Sequence, residues 1–351
     1  MSTEHAPGRV HRPAGPGDPR VTVAVITRDR SASLLRTLDA LAALPERPPV
    51  IVVDNSRDDT TYRAVAGHPA IARLLRPAAN TGALGRNLAV RHARTPYVAF
   101  SDDDSWWEPG SLRRAADLLD RHPRLGLLAA RTLVGDQAAE DPLNAVLAAS
   151  PLPPEPDLPG RPVLGFLGCA CVVRREAFLS AGGYHPLLFF GGEETLLAYD
   201  LAAAGWGVAY EPSLAARHHP EDHGRTGRPF LVRRNHVLTT CLRRPWPVAL
   251  RAFADLAGAA AAGRPGARRA LKETVARFPA ALARRRPLPP HVEHAARLLD
   301  RETSGRAGGQ HAMSGTGRRT AGRRRRGARS RSGPDAITRT FPDDPRGGAV
   351  R

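Results

Sequence analysis

From residue 21 onward the chain alternates short aliphatic runs with longer stretches in which apolar residues recur at helical spacing. VTVAVIT (21–27) is β-branched and almost wholly apolar, which predicts a strand buried on both faces. SASLLRTLDALAAL (31–44) predicts a helix, and VIVVD (50–54) a second buried strand. The same alternation continues with a short helix near 58–66, the run IARLLR (71–76), a helix over 84–93 and the run YVAFSDDD (97–104). A helix around 110–121 and a strand LGLLAAR (125–131) follow. Such a succession predicts an α/β fold built on a Rossmann-like, mostly parallel sheet with helices on both faces.

The rhythm stops at 135–162, where PLPPEPDLPG (151–160) reads as a proline-rich loop. It resumes with a strand in GFLGCACVVRR (165–175), a helix starting at Glu176, a helix over about 193–204 and a closing strand in WGVAYEP (206–212). Cys169 and Cys171, two apart, are expected on one strand face in the core. Residues 230–300 are helical in pattern and studded with arginine. The expected organisation is therefore a disordered lead (1–19), an α/β domain (20–229), a C-terminal helical region (230–300) and a disordered Arg-rich tail (301–351). No repeat of 20 to 50 residues recurs, which excludes a solenoid or propeller.

Charge adds less than its size suggests. The net charge is +18, but residues 301–351 hold thirteen arginines against four acids, half of that excess. Lys272 is the one lysine in the sequence, a bias better matched by GC-rich coding than by a nucleic-acid-binding face. A nucleic-acid reading through the tail lacks interleaved aromatics. Three cysteines are too few for a disulfide framework, and no window approaches the roughly 20 apolar residues of a membrane span. The expected location is the cytoplasm, with the Arg-rich stretch 231–251 and Trp246 offering peripheral contact to the inner face of the cell membrane.

The sharpest chemical feature is Asp102-Asp103-Asp104 at the end of a strand, where open α/β sheets gather ligands. Three adjacent carboxylates repel one another, and a hard cation, Mg²⁺ or Mn²⁺, shared with a diphosphate offsets that repulsion. Strand alternation sends Asp102 and Asp104 to one side and Asp103 elsewhere. A helix cap would need only one of these acids.

In order along the chain stand Thr27-Arg28-Asp29-Arg30 after the first strand, Asp54 at the end of the second, Asn80-Thr81-Gly82, Arg86-Asn87, and the Asp-x-Asp of Asp102 and Asp104. GCACVVRRE (168–176), GGY and FFGGEE, and a Gly-Trp strand ending before a His come next. Over roughly residues 21–240 this order resembles the family 2 glycosyltransferases, inverting enzymes with the GT-A fold. The resemblance implies a metal-dependent single displacement from a nucleotide-diphosphate sugar onto the hydroxyl of a glycan, a lipid-linked glycan or a small molecule. It implies that Thr27, Arg30 and Asp54 frame the nucleobase and ribose, and that Asn80, Gly82, Arg86, Asp102 and Asp103 line the donor. Metal would fall to Asp102, Asp104 and His218, with His219 as the alternative and His223 nearby. The base would be Glu194, the second acid after Gly191-Gly192, with Glu193 able to substitute because Glu stands where the family has Asp. A sugar-nucleotide pyrophosphorylase, the competing enzyme class, needs a glycine-rich loop after strand one, and VITRDRSAS has no glycine.

Overall fold

The structure, a computed structural model, describes Asp18 and residues 20–220 and 228–315, apart from the side chains of 228–229 and 303–315. Apart from Asp18, the expected disordered lead lies outside these residues, as do most of the Arg-rich tail and His223. Contacts divide the chain into two units, up to Glu302 and from Thr303. The first half runs β1 (Val21–Thr27), α1 (Ser31–Ala42), β2 (Val50–Asp54), α2 (Thr60–Val65), β3 (Ile71–Leu75), α3 (Leu84–His92) and β4 (Tyr97–Asp102). A short β5 (Ser105–Trp107), α4 (Ser111–Arg121), β6 (Leu125–Val134), β7 (Ala139–Glu140), α5 (Pro142–Ala148) and β8 (Arg161–Pro162) follow. Next come β9 (Cys171–Arg174), α6 (Arg175–Ser180), α7 (Glu193–Ala203) and β10 (Gly207–His218). The C-terminal helices are α8 (Arg228–Arg243), α9 (Trp246–Ala261), α10 (Ala267–Ala283) and α11 (Pro290–Gly315).

The strands form one sheet in the order β3-β2-β1-β4-β9-β6-β10-β5, with β7 beside β6 and β8 beside β10. The strands β3, β2, β1, β4, β6 and β10 all run one way; short β9 runs against its neighbours β4 and β6. The mostly parallel α/β sheet predicted from the alternation is therefore present. Period-2 geometry divides β1 between two cores. Val21, Val23 and Val25 pack with Leu34, Leu38 and Leu41 of α1 and Leu112 and Leu119 of α4. Ala24 and Ile26 face Val90 of α3, Phe178 of α6 and Leu197 of α7. A third cluster joins α8, α9 and α10 to Leu188 and Leu196.

Several expectations are corrected. The 165–175 strand contracts to Cys171–Arg174, and Cys169 and Cys171 fall in different cores rather than on one face. The chain before Cys171 is no longer extended, so strand alternation does not govern Cys169. Within 135–162 lies α5, started by Asp141, whose carboxylate accepts from the Leu143 N–H at 2.8 Å. The helical stretch 231–251 breaks at Pro245, which begins a new helix because its ring cannot continue the old one.

Candidate active site

Register brings the predicted donor residues together. Thr27 on β1 pairs with Asp54 on β2, and Ile26 pairs with Asp102 on β4, so three parallel strands deliver their last side chains to one edge of the sheet. Beyond Asp102 the chain turns at Asp103-Asp104 into β5, and the expected alternation ends there because the backbone is no longer extended. The three acids consequently meet different sets of partners, with Arg30 shared between Asp103 and Asp104. Asp102 pairs with the guanidinium of Arg86. Asp103 is buried and accepts from Thr27 Oγ1 at 2.8 Å and Arg30 Nη1 at 2.5 Å. Asp104 accepts from Arg30 Nη2 at 3.1 Å through one oxygen, and its other lies 3.5 Å from His218 Nε2. Burial, opposed by Arg30 and aided by Asp104, pushes Asp103 up to about 7.

His218 arrives by sheet pairing. Residues 216–218 at the end of β10 run antiparallel to β5, with His218 opposite Ser105. The next residue behaves differently: the His219 ring stacks on Trp106 at 4.6 Å and its Nδ1 lies 3.3 Å from Asp136. Of the two histidines, His218 therefore faces the acidic turn. Trp107 is buried in the core.

The loop carrying Asn80 and Gly82 is held from within. Asn80 Oδ1 accepts from the Gly82 N–H at 2.9 Å, and Asn55 Oδ1 accepts from both the N–H and the hydroxyl of Thr81 at 2.8 Å. Gly82 has φ +57°, and a Cβ there would lie 2.4 Å from the Phe189 carbonyl oxygen. The same carbonyl accepts from the Ala83 N–H at 2.8 Å, which ties this loop to the one leading into Glu193. Asp54 is fully buried. One of its oxygens accepts from the Ser56 N–H at 2.9 Å, while the other has no hydrogen-bond partner. Such an orphaned acceptor suits an N–H donor brought by a ligand.

Arg86 is the hub. It is buried with its guanidinium 5.7 Å from the Phe100 ring and 5.9 Å from that of Tyr184, so it is no solvated surface residue. Its neighbour Asn87 grips the Gly-Gly-Tyr segment, donating to the Tyr184 carbonyl at 2.8 Å and accepting from the Tyr184 N–H at 2.9 Å. Glu194 lies near the same hub. A Cβ at Gly168 would come within 3.0 Å of Glu194 Oε1, 3.5 Å of the Tyr184 hydroxyl and 3.6 Å of Arg86 Cζ, so this glycine keeps open the space where the three meet. Burial raises Glu194 above the ordinary glutamate range, with Arg86 and the Gly168 N–H opposing it.

Glu193 is deeper, and one of its carboxylate oxygens has no partner. Burial first, and then the Glu194 charge, push it up to about 8, so it holds a proton at neutral pH. The folded state thus binds a proton that the unfolded chain releases between the ordinary value of 4.5 and about 8, and stability falls as pH rises through that window. Thermal denaturation of Glu193→Gln between about pH 6 and 9 is expected to show a flatter decline in Tm than the parent. Equal slopes would mean that Glu193 is not the buried acid responsible.

Sequence reasoning missed what fixes this corner. Asn235 of α8, fully buried, donates to the carbonyls of Leu188, Phe190 and Gly191 at 2.9, 3.0 and 2.6 Å. Arg234 donates to the Leu188 carbonyl at 2.6 Å and to Glu273 at 2.6 Å. Arg234 and Asn235 stand among apolar residues in LVRRNHVL, and their burial in the fold is what requires polar partners there.

Comparison with known proteins agrees with this architecture. Residues 22–180 match the family model described as Glycosyl transferase family 2. The chain is 30% identical over 235 residues to N-acetylglucosaminyl-diphospho-decaprenol L-rhamnosyltransferase of Mycobacterium tuberculosis, covering 56% of this chain and 75% of that protein. It is 29% identical over 237 residues to the pre-mycofactocin glycosyltransferase of the same organism, covering 63% of this chain but 47% of that one. The fold is also that of a mannosyltransferase from Pyrobaculum calidifontis solved with GDP-Man and Mn2+, at a TM-score of 0.50 and 21% identity over 76% of this chain and 88% of the other.

Proposed function

Because the chain belongs to the family 2 glycosyltransferases and has their GT-A fold, we propose that it is an inverting, divalent-metal-dependent enzyme acting on a lipid-linked glycan. Its donor is a nucleotide-diphosphate hexose or deoxyhexose. The observation that carries the reading is the convergence on buried Arg86 of Asp102, at the end of the donor strand, and Glu194, at the start of α7. One guanidinium thereby fixes the donor side against the acceptor side.

Glu194 takes the proton of the acceptor hydroxyl as its oxygen bonds to the anomeric carbon, and the carbon–oxygen bond to the diphosphate breaks with its electron pair leaving on the nucleotide. The raised affinity of Glu194 for a proton suits a base working near neutral pH. Glu193, buried and protonated, stands behind it. Asp54 offers its unpartnered oxygen to the nucleobase, beside Thr27 and Arg30. Arg86, engaged by Asp102, orients that acid and adds positive potential beneath the diphosphate rather than offering a free fork to it.

The donors present fit a hard cation. Asp104 Oδ1 and His218 Nε2 are 3.5 Å apart, close enough for one ion to touch both, and Asp102 is the most exposed of the three acids. Among the described residues no group of three or more His, Cys, Asp or Glu side chains could hold a metal, so the remaining ligands would come from the diphosphate, as is usual for Mg²⁺. A bound Mg²⁺ or Mn²⁺ would neutralise charge on the departing nucleotide.

A lipid-linked acceptor follows the name of the rhamnosyltransferase relative, which specifies N-acetylglucosaminyl-diphospho-decaprenol. The test is a screen of purified protein with Mn²⁺ against UDP-, GDP-, dTDP- and CMP-sugars, read by thermal stabilisation and slow donor hydrolysis. One donor class is expected to raise Tm only when metal is present. Stabilisation by none of them, or equal stabilisation under chelator, would overturn the reading.

A further inference from the structure

The structure redistributes the basic, Trp-containing stretch at 231–251. Three arginines of this stretch are spent internally: Arg234 pairs with Glu273, Arg243 with Asp200, and Arg244, just past the end of α8, with Glu293 and Asp300, all three being buried. Besides Val232 on α8, the exposed large apolar side chains of the C-terminal helices lie on α9 and α10. Trp246 (43% exposed) and Leu250 (63%) are one turn apart on α9, and exposed Ala254 continues their stripe. Val275 (54%) and Leu282 (41%) are two turns apart on α10, with exposed Pro279 between them. The Arg285 guanidinium sits 4.2 Å over the Trp246 ring and joins the two helices at that end.

Charge decides what such a face meets. Residues 246–286 hold nine basic side chains against Asp255 and Glu273, and Glu273 is already engaged by Arg234, Arg269 and Arg277. Among the basic residues, Arg251, Lys272, Arg284 and Arg286 are exposed. A second copy of this chain would bring like charge onto like charge. An anionic lipid surface offers both an apolar boundary for the Trp and Leu side chains and phosphates for the arginines.

We propose that the exposed face of α9 and α10 docks on an anionic bilayer, with Trp246, Leu250 and Leu282 entering the headgroup boundary. It rests on the transferase reading only for its purpose, which is to hold the enzyme where a lipid-linked acceptor resides. The α8 residues Arg234 and Asn235 connect the same helical cluster to the loop before Glu193.

The test is co-sedimentation of the full chain with vesicles of phosphatidylcholine alone and of phosphatidylcholine with phosphatidylglycerol. Binding to the anionic vesicles only is expected, together with a blue shift in emission that Trp246→Phe diminishes. The double variant Leu250→Glu/Leu282→Glu should partition at least about tenfold more weakly, since it replaces two apolar contacts by charge. Both positions are exposed, so Tm and transfer to a water-soluble acceptor should match the parent. Unchanged vesicle binding by that variant would assign adsorption to the Arg-rich tail and overturn the proposal, as would a parent dimer that the variant dissociates. Absence of transfer by the parent would instead sink the transferase reading and leave the vesicle result standing.

Discussion

Glu194→Gln is expected to bind donor and metal as the parent does and to lose transfer by about 10²- to 10⁴-fold, the range attributed to a positioned general base. The amide keeps the size of the side chain but cannot take the acceptor proton. Glu194 sits against Gly168, Tyr184 and Arg86, so an isosteric change should leave the packing in place. Glu193→Gln provides the internal comparison. Because Glu193 is buried and protonated at neutral pH, its amide variant should retain most of the activity. The pH dependence supplies a second signature. Burial raises Glu194, so the acid limb of kcat should lie above the ordinary glutamate value of 4.5, and activity should rise with pH as the proton leaves. Near-parental turnover by Glu194→Gln, or collapse of the Glu193 variant alone, would exchange the two roles.

The second large effect is expected from Asp104→Ala. This carboxylate is the one that faces His218, and it also holds Arg30. Its removal should abolish the metal-dependent part of donor binding, a loss exceeding the roughly 10- to 100-fold typical when only an outer partner of a metal ligand is changed. Titration of Mn²⁺ in the presence of the preferred donor, followed by calorimetry, would measure it. His218→Ala should weaken the same step less, because carboxylate and diphosphate oxygens are the ligands that a hard cation favours. His219→Ala should leave it unchanged, since that ring is occupied by Trp106 and Asp136. Asp104→Ala retaining full metal dependence would remove the acidic turn from the metal site.

The corner around Arg86 also explains why sequence motifs far apart belong together. Asn87 holds Tyr184, the Gly82 segment abuts the Phe189 carbonyl, and Asn235 fixes the carbonyls on either side of Phe189. Each link is a polar contact between segments 45 to 106 residues apart in sequence. The two loops therefore cannot shift independently, and Glu194 stays registered against the ends of β1, β2 and β4.

The alternation of apolar runs with helical periodicity was enough to determine the parallel sheet, because a strand buried on both faces must be apolar throughout and a helix covering it must repeat at its own period. The acids at the end of β4 and the acids opening α7 were legible for the same local reason: charge is conspicuous where a hydrophobic run stops. The partners of those acids were not legible. Alternation grouped Asp102 with Asp104, yet the turn after β4 gave Asp102 to Arg86, Asp103 to Thr27 and Arg30, and Asp104 to His218. Likewise, the choice between His218 and His219 rested on the antiparallel pairing of β10 with β5, and the separation of Cys169 from Cys171 on where β9 begins. Such outcomes depend on contacts between distant segments, whose energies appear only after the chain has closed on itself; local spacing can nominate residues for a site, while the fold alone decides which of them meet.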